Sequence, residues 1–419
     1  MSEHKENVPK LRFPGFTDAW EHRKLGNVID GLYNGQTPSR FRNDFWNGDI
    51  NWLSSGELNR SVVKTTSEKI TISGQNSANL RIVPKKTFVM AITGLEATGT
   101  RGNCAILGID TTLNQSCMAI FPNKRLLSTQ FLFQWYKMVG EDYGIRFTQG
   151  TKQQSYNAEI IRNLDICLPK VEEQERLGDF FIHLDHLIIL HQRKLNNVKN
   201  LKAGLLQKMF PKNGEYFPEV RFPGFTDAWE QRKVSEITIQ HNSGVYIKKE
   251  NYGEGTNIIG VGNMYDSDII DGKIYRLAPV KDDKFILNEN DLIYGESSIV
   301  PEGIARVMCV DENGSGTAFA WHTRRFKIDN EVANSHFITL LLNYNKSVRQ
   351  YLMNVSTQTA LTGITTEDFF GAIIMFPNII EQKRISSFFK QLDHLITLHQ
   401  RKLEHLQEQK KALLQQMFI

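Results

Sequence analysis

The sequence predicts an α+β protein in which two pseudo-repeated mixed α/β bodies are separated by two long helices that form an antiparallel coiled coil. Three observations support this prediction. A stretch with a helical heptad pattern occurs twice, a ten-residue segment occurs twice without any difference, and a similar order of strand-like apolar runs follows each copy of that segment. A repeat of this size divides the 419 residues into two related half-chains.

The two long helices are the clearest elements of this prediction. Residues 171–211 and 379–419 share the blocks LDHLI and LHQRKL, displaced by 208 residues. Both copies carry apolar residues at the a and d positions of one heptad register, interrupted by one His at d and by Lys202 or Lys410 at a. Shared polar positions penalise slipped registers, so we expect the helices to pair with each other. The expected pairing residues are Phe181, Leu184, Ile188, His191, Leu195, Phe389, Leu392, Ile396, His399 and Leu403.

A short lead precedes each body. It covers residues 1–25 in the first half-chain and, with a linker, residues 212–233 in the second, and both copies contain RFPGFTDAWE (Arg12–Glu21 and Arg221–Glu230). Pro and Gly mark a turn within this decapeptide. We expect its aromatic residues to seat the lead on a neighbouring helix end.

The two bodies, residues 26–170 and 234–378, show strand patterns separated by Gly, Asn and Pro turns. In the first body INWLS, KTFVMAI, NCAILGI, CMAIFP and NLDICLP are predicted strands, with a helix near 128–138. In the second body TNIIGVG, NDLIYG, IARVMCV, FAWHTRRFKI and FGAIIMFP are predicted strands, with a helix near 333–353. A hairpin is expected in IIDGKIY, turning on Asp271 and Gly272.

Composition excludes several classes of protein. No apolar run approaches the roughly 18 residues of a membrane span, and the first residues carry no signal-peptide pattern, so we expect a cytoplasmic protein. The cysteines are widely spaced, which is typical of buried small hydrophobes rather than of disulfides or a zinc site; they are Cys104, Cys117, Cys167 and Cys309. The net charge is +4, but the first body is basic (+4, residues 26–165) and the second acidic (−6, residues 234–373).

Motifs for catalysis are absent from the sequence. It contains no phosphate-binding loop, no dinucleotide-binding glycine motif, no nucleophile elbow and no H-E-x-x-H. The histidines His183, His186 and His191 are poor candidates for a metal site, because His183 is replaced by Gln391 in the repeat and His191 belongs to the heptad seam. We expect no catalytic residue, no metal and no cofactor in this chain.

Polar loops lie at similar places in both bodies, and their side chains are of the types that read base edges and phosphates. Between the body helix and the last strand stand RFTQGTKQQSYN and NVSTQTALTGITT, and further basic or hydroxyl residues lie in NGQTPSRFR, TGLEATGTRG, HNSGVYIKK and GESS. The candidate DNA-binding residues are Arg40, Arg42, Arg101, Gln149, Thr151, Lys152, Gln153, Gln154, Lys248, Lys249, Ser297, Ser298, Thr357, Gln358 and Thr359.

This layout resembles the specificity subunit of type I restriction-modification enzymes. The resemblance rests on the alternation of bodies and long helices and on the P-x-x-x-E-Q-x-R-[LI] stretch that enters each helix, Pro169–Leu177 and Pro377–Ile385. It implies that each body is a target recognition domain reading one half of a bipartite DNA sequence, and that the helices set the gap and dock the modification subunits. Two modification subunits would supply S-adenosylmethionine-dependent adenine methylation, and restriction subunits ATP- and Mg-dependent translocation and cleavage.

Two other functions fit the same layout. The first is the recognition subunit of a two-subunit, type IIB-like restriction enzyme, and the second is a coiled-coil scaffold without a DNA role. The acidic second body departs from a simple basic DNA clamp, because phosphate neutralisation dominates non-specific affinity. Either its basic residues are gathered on one face or the modification subunits supply much of the phosphate contact.

Overall fold

The structure is a computed structural model that describes residues 7–96, 99–148, 154–212, 214–265, 267–357 and 362–419. The chain forms two compact units. One comprises the residues up to Gln192 together with Arg401–Ile419, and the other comprises Arg193–Gln400. Each unit therefore contains one body, part of the first long helix and part of the second.

The described residues of the first unit form a five-stranded sheet, a three-stranded sheet and a two-stranded sheet. Its elements are β1 (Glu21–Lys24), β2 (Ile29–Asn34), β3 (Trp46–Leu53), β4 (Val62–Val63), β5 (Glu68–Ile70), α1 (Ile72–Ser77), β6 (Phe88–Ala91), β7 (Cys104–Leu107), β8 (Thr112–Leu113), β9 (Cys117–Pro122), α2 (Thr129–Phe147), α3 (Ala158–Asn163), β10 (Asp165–Leu168) and α4 (Val171–Lys208), which continues into the second unit. A five-stranded sheet has the order β2-β9-β6-β7-β4, and a three-stranded sheet has the order β5-β3-β8. In addition, β1 pairs with β10.

The second unit repeats this topology. Its elements are β11 (Glu230–Lys233), α5 (Val234–Ile237), β12 (Thr238–Ser243), β13 (Thr256–Ile259), β14 (Ile269–Ile270), β15 (Arg276–Ala278), β16 (Leu292–Gly295), β17 (Ser297–Ser298), β18 (Val307–Val310), β19 (Ala318–Phe319), β20 (Thr323–Ile328), α6 (Ser335–Tyr344), α7 (Lys346–Val355), β21 (Thr362–Gly363), α8 (Thr366–Phe370), β22 (Ile373–Phe376) and α9 (Ile379–Met417), which ends in the first unit. The sheets are β12-β20-β16-β18-β14 and β15-β13-β19, with β11 paired to β22 and, in addition, β17 paired to β21. Equivalent strands thus occupy equivalent places, as predicted.

Central strands and helix starts follow from local sequence. The runs FVMA in β6 and LIYG in β16 are buried at every position, which suits strands that have a neighbour on both sides. Helix α2 begins after Ser128, whose hydroxyl accepts a hydrogen bond from the Phe131 amide, and Asn334 caps α6 in the same way. Helix α2 packs on the five-stranded sheet of its body, as shown by the contact of Phe88 with Tyr136, and α6 contacts the equivalent sheet where the Asn343 side chain bonds the Val307 backbone.

Three details of the second body differ from the prediction. The hairpin at Asp271–Gly272 is wrong, because β14 pairs with β18 while β15 pairs with β13 in the other sheet. The predicted single helix is two helices that meet at Asn345, whose side chain caps α7. The run FAWHTRRFKI forms two strands, β19 and β20, separated at Trp321 and His322, where His322 adopts a φ of 68°.

The predictions for the cysteines and for the long helices are confirmed. All four cysteines are buried and free, and burial raises the pKa of the Cys104 thiol to about 12. Helix α4 has 38 residues and α9 has 39. Within the described residues no helix is long and apolar enough to cross a membrane.

Candidate nucleic-acid interface and helix pairing

In the first unit the beginning of α4 packs on the end of α9. The carboxylate of Asp185 on α4 accepts hydrogen bonds from the Nζ atoms of Lys410 on α9 and of Lys137 on α2, the latter at 2.9 Å. Leu177 and Met417 lie in the same buried cluster. Because one member of each contact is near a helix start and the other near a helix end, the pairing is antiparallel, as predicted.

The second unit contains the equivalent contact with the helices exchanged. Lys202 on α4 donates to the carboxylate of Asp393 on α9 at 2.6 Å. Asp393 and Lys202 stand 208 residues from Asp185 and Lys410 respectively. Each lysine at an a position is therefore matched by a carboxylate on the opposite helix. A matched polar pair at the seam selects one register, because a slipped register would leave a partly buried charge unpaired.

The surroundings of these ion pairs shift their pKa values. Burial lowers the pKa of Lys410 to about 8, and the neighbouring Lys137 acts in the same direction while Asp185 opposes it. Burial also disfavours the charged form of Asp185, but the two ammonium groups outweigh it and lower the carboxyl pKa. Burial raises the pKa of Asp393, and Lys202 offsets this only in part.

The repeated decapeptide docks on the start of the long helix through an arginine. Arg12 makes a bidentate ion pair with Glu173, with N–O distances of 2.9 and 2.6 Å, and Arg221 binds Glu381 with two distances of 2.7 Å. Both carboxylates are almost fully buried. The glutamate of the E-Q-x-R motif therefore has a structural role: it holds the lead against the helix.

The glutamine of the same motif ties the helix start to the body. Gln174 donates its side-chain amide to the carbonyls of Leu126 and Pro169 and accepts a hydrogen bond from the Ser128 amide at 2.9 Å. Its counterpart makes the same three contacts in the second unit, where Gln382 binds Val332, Pro377 and Asn334. Each long helix is thus fixed to its body by three hydrogen bonds from one buried side chain.

The decapeptide tryptophan contacts an aromatic residue at a long-helix end. Trp20 packs against Phe418, which follows α9, with a centroid distance of 6.1 Å, and Trp229 packs against Phe210, which follows α4, at 6.3 Å. The predicted docking of the leads on helix ends is confirmed in both units. One consequence is that each lead joins its own body to the last turn of a long helix.

All ten expected helix-pairing residues are buried or half-buried. On the outward sides of the helices, other leucines remain exposed. They occupy equivalent places in the two copies: Leu187 corresponds to Leu395, and Leu190 to Leu398. The burial of the ten residues is what the heptad register leads us to expect, and the pairing role of the individual residues stays a prediction. Each helix also presents an apolar outer surface.

Arg40 and Arg42, predicted as DNA contacts, lie in the loop after β2 and already have protein partners. Arg40 Nη2 donates to Glu68 at 2.9 Å, and its guanidinium lies 3.7 Å from the centroid of Trp46. Arg42 forms a bidentate pair with Asp44, with two distances of 2.8 Å. Both arginines remain at least half exposed, so these contacts fix the loop without covering it.

Two other predicted residues of the first body come together. Arg101 Nη2 donates to the side-chain oxygen of Gln154 at 2.9 Å, and the Gln154 backbone amide donates to Glu96 at 3.0 Å. Thr148, at the end of α2, also reaches Gln154 at 3.4 Å. A guanidinium beside an amide presents both donors and acceptors, the combination needed to read a base edge.

In the second body the predicted residues separate into exposed and buried groups. Lys248, Lys249 and Thr357 are exposed. Ser297 and Ser298 are buried, and the Ser298 hydroxyl donates to the Val300 carbonyl at 2.6 Å. The two serines therefore belong to the internal framework of their loop and do not join the exposed candidate set, a correction that follows from burial.

The other predicted contacts lie outside the described residues. They are Gln149, Thr151, Lys152 and Gln153 in the first body and Gln358 and Thr359 in the second. Their role as DNA contacts stays a prediction.

Comparison with known proteins decides the family. Residues 17–200 and 226–408 each match the type I restriction modification DNA specificity domain, so the two matches cover most of the chain. The chain belongs to the type I restriction-modification DNA specificity family. Its two bodies are the two target recognition domains of a specificity subunit, each matched together with most of its long helix.

Two of the relatives span nearly the same length as this chain. The chain is 20% identical over 417 residues to the type I restriction enzyme MjaVIII specificity subunit of Methanocaldococcus jannaschii, covering 98% of this chain and 94% of the relative. It is 21% identical to the putative MjaX specificity subunit of the same organism, covering 98% and 95%. The structure of a type I S subunit from M. genitalium superposes with a TM-score of 0.62 at 13% identity, covering 98% and 99% of the two chains, which shows a shared fold.

In the second recognition domain many basic side chains lie against carboxylates. The pairs are Arg306 with Asp268, Arg324 with Glu296, and Arg325 and Lys327 with Asp291. Arg325 is almost fully buried. Because their charges are paired with carboxylates, these basic residues do not form a positively charged surface that would offset the acidic net charge of the second domain.

The candidate residues predicted from the sequence are all polar or basic, and they do not include the exposed aromatic residues of the two recognition domains. The most exposed of them are Phe41 in the first, and Tyr246 and Trp321 in the second. The sequence carried a signal for Phe41 and Tyr246, since each stands in a loop with two basic residues. The sequence gives no such indication for Trp321, because Trp321 lies within FAWHTRRFKI, which the pattern predicts as one continuous strand.

Proposed function

We propose that this chain recognises a bipartite double-stranded DNA target, with each recognition domain reading one half. The observation that carries the proposal is the duplicated unit: the same sheet topology, the same lead contact and the same glutamine anchor occur with different surface loops. A duplicated frame with divergent loops is suited to reading two different short sequences in the same geometry. We assign the partly exposed pair Arg101 and Gln154 to one half and the exposed pair Lys248 and Lys249 to the other half.

The long helices set the unspecified gap between the half-sites in this proposal. The pairs Asp185–Lys410 and Lys202–Asp393 hold α4 and α9 in one register, and Gln174 and Gln382 hold each helix start to a recognition domain. A helix rises 1.5 Å per residue, so a fixed register defines a fixed length. With half-sites read about one turn of DNA apart, we expect a centre-to-centre spacing of roughly 10 bp.

Two modification subunits bind the outer surface of the paired helices in this proposal. The exposed leucines at equivalent positions, Leu187 with Leu395 and Leu190 with Leu398, supply the support, because one surface present twice fits two copies of one partner. Exposed apolar residues grouped on a helix are typical of interaction surfaces. The acidic second domain adds a reason for a DNA-binding partner, since phosphate contacts dominate non-specific affinity.

Chemistry belongs to the partner subunits in this proposal. Adenine methylation with S-adenosylmethionine is assigned to the modification subunits, and ATP- and Mg-dependent translocation and cleavage to restriction subunits. The sequence supports this division, because it lacks the phosphate-binding and nucleophile motifs that such reactions use.

The test is methylation mapping. The chain is expressed with a type I modification subunit from the same organism in a host without other adenine methylation, and methylated motifs are read by long-read sequencing. We expect one bipartite motif with an unspecified gap. Arg101→Ala with Gln154→Ala should relax only one half, and Lys248→Ala with Lys249→Ala should affect only the other half.

Arg23→Ala is the matched control, since Arg23 is a partly exposed arginine of β1 that pairs with the exposed Glu21. A continuous motif, or relaxation of both halves by one pair of substitutions, contradicts the proposal.

A further inference from the structure

Both recognition domains present an aromatic side chain from the loop that follows the first strand of the five-stranded sheet. We call residues 35–45 after β2 and residues 244–252 after β12 the edge loops. Phe41 in the first edge loop is 98% exposed, and Tyr246 in the second is 66% exposed. Each is accompanied by two basic residues, Arg40 and Arg42 in one loop and Lys248 and Lys249 in the other.

The edge loops leave the two domains at equivalent points. Strands β2 and β12 are both the outer strands of their sheets. A glycine follows each strand where another backbone approaches closely: an added Cβ at Gly35 would lie 2.0 Å from the Leu113 carbonyl oxygen, and one at Gly244 would lie 2.1 Å from that of Ala320. Because only glycine fits there, both loops start with the same constrained path.

The two edge loops position their aromatic residues in different ways. In the first loop the residues before and after Phe41 are held: Arg40 lies over Trp46 and pairs with Glu68, and Arg42 pairs with Asp44. In the second loop, the Tyr246 ring packs edge-on against Trp321 at 5.8 Å, and the Trp321 amide donates to the Val245 carbonyl at 2.8 Å. Neither aromatic ring contributes much to the core of its domain.

We propose that Phe41 and Tyr246 are DNA wedges: each ring inserts at a base step of the half-site that its domain reads, and unstacks that step. The inference rests on the function proposed above and deepens it. Base faces are the natural partners of an exposed ring, and stacking requires no sequence-specific hydrogen bond. Apolar side chains inserted between base steps kink DNA and add specificity through the deformability of the step.

Comparison of the two halves argues for DNA rather than a protein partner. The decapeptide Arg12–Glu21 recurs without change at Arg221–Glu230, as expected of a segment that serves the same purpose twice. The edge loops keep an exposed aromatic ring and two positive charges but differ in almost every letter. A surface that meets two copies of one subunit would keep its residues, whereas a surface that meets two different half-sites would vary as the loops do.

The experiment uses the complex of this chain with its modification subunits and the duplex mapped by methylation sequencing. Adenines in and beside both half-sites are replaced one at a time by 2-aminopurine, whose fluorescence rises when it is unstacked. For the wild-type complex we expect a rise at one step per half-site. Phe41→Ala should abolish the rise in one half-site and weaken binding by roughly 5- to 150-fold, the range that corresponds to one base–aromatic stack. Phe41→Tyr keeps a ring and should retain the signal.

Matched controls come from exposed apolar residues away from the edge loops. The controls are Val62→Ala and Ile239→Ala. Val62 lies on β4, at the edge of the five-stranded sheet opposite β2, and Ile239 lies on β12 before the second edge loop. Both should leave fluorescence and affinity unchanged, while Tyr246→Ala should remove the signal in the other half-site. Melting temperatures should not change, since Phe41 buries almost none of its surface.

Three results would overturn the inference. The first is wild-type fluorescence and affinity in Phe41→Ala and Tyr246→Ala. The second is equal loss in Val62→Ala, which would show a general disturbance of the domain. The third is reduced co-elution of the modification subunits with unchanged duplex binding, which would make the rings protein contacts. If the wild-type complex itself prefers no duplex over a scrambled one, the proposed function fails, and that result is distinct from all three.

Discussion

Removing Arg221 should destabilise the second unit far more than removing an exposed arginine of the same segment. Arg221 forms two hydrogen bonds of 2.7 Å with Glu381, whose side chain is fully buried. Arg221→Ala leaves that carboxylate buried without its partner, and breaking a buried pair in this way costs about 3–5 kcal/mol. The matched control is Arg232→Ala, since Arg232 pairs with the exposed Glu230 and such pairs are worth about 0–1 kcal/mol.

The assay is urea unfolding of the full chain, followed by the fluorescence of the buried Trp229 and the other tryptophans. Arg12→Ala and Arg23→Ala test the same comparison a second time, in the first unit. There Arg12 pairs with the buried Glu173, and Arg23 pairs with the exposed Glu21. Arg221→Met combined with Glu381→Met should recover most of the loss, because no buried charge remains. The reasoning is refuted if Arg221→Ala and Arg232→Ala differ by less than about 1 kcal/mol.

Two further predictions concern pH. Burial lowers the pKa of Lys410 from 10.5 to about 8, so the unfolded chain binds this proton more tightly than the folded chain. The free energy of unfolding should therefore rise between pH 8 and 10.5. Lys410→Met should flatten that rise, which urea titrations at several pH values would measure. Burial, aided by Lys390 and Lys202, lowers the pKa of His336 to about 3, so stability should fall as pH drops from 6.5 towards 3. His336→Gln should reduce this loss of stability at low pH. If the melting temperature of the variant falls with pH as steeply as that of the wild type, the prediction is wrong.

The sequence predicted what is encoded locally or by internal repetition. The heptads of α4 and α9 needed only the residue spacing, and the roles of Lys202 and Lys410 as register markers followed from their matched positions. Asn345 was a readable signal that was missed, since an asparagine after LLLNY caps α7 through the amides of Ser347 and Val348.

Features that depend on distant partners were not predictable. Glu173 pairs with an arginine 161 residues away, and Gln174 reaches a loop 46 residues away, so nothing next to them in sequence indicates these contacts. The hairpin at Asp271–Gly272 failed for the same reason: β14 and β15 each found a partner outside the local segment. Ser297 and Ser298 looked like exposed loop residues because their partners are distant in sequence: both pair with β21, and Ser298 also contacts Tyr265, 33 residues earlier.

The most direct test is to lengthen α4 and α9 by insertions at positions that face each other in the antiparallel pair, and then to map the methylated motif. Lys202 faces Asp393, so in an antiparallel pair Val198, four residues before Lys202, lies level with Thr397, four residues after Asp393. Leu406 is the repeat equivalent of Val198 but is nine residues further along α9 than Thr397, so an insertion there would not match.

Four residues inserted after Val198 and after Thr397 add about 6 Å to the paired helices. DNA rises about 3.4 Å per base pair along a strand. We expect the unspecified gap to lengthen by one or two base pairs while both half-site sequences stay the same. An unchanged gap would show that the helices do not set the distance, and altered half-site letters would show that the two domains do not read independently.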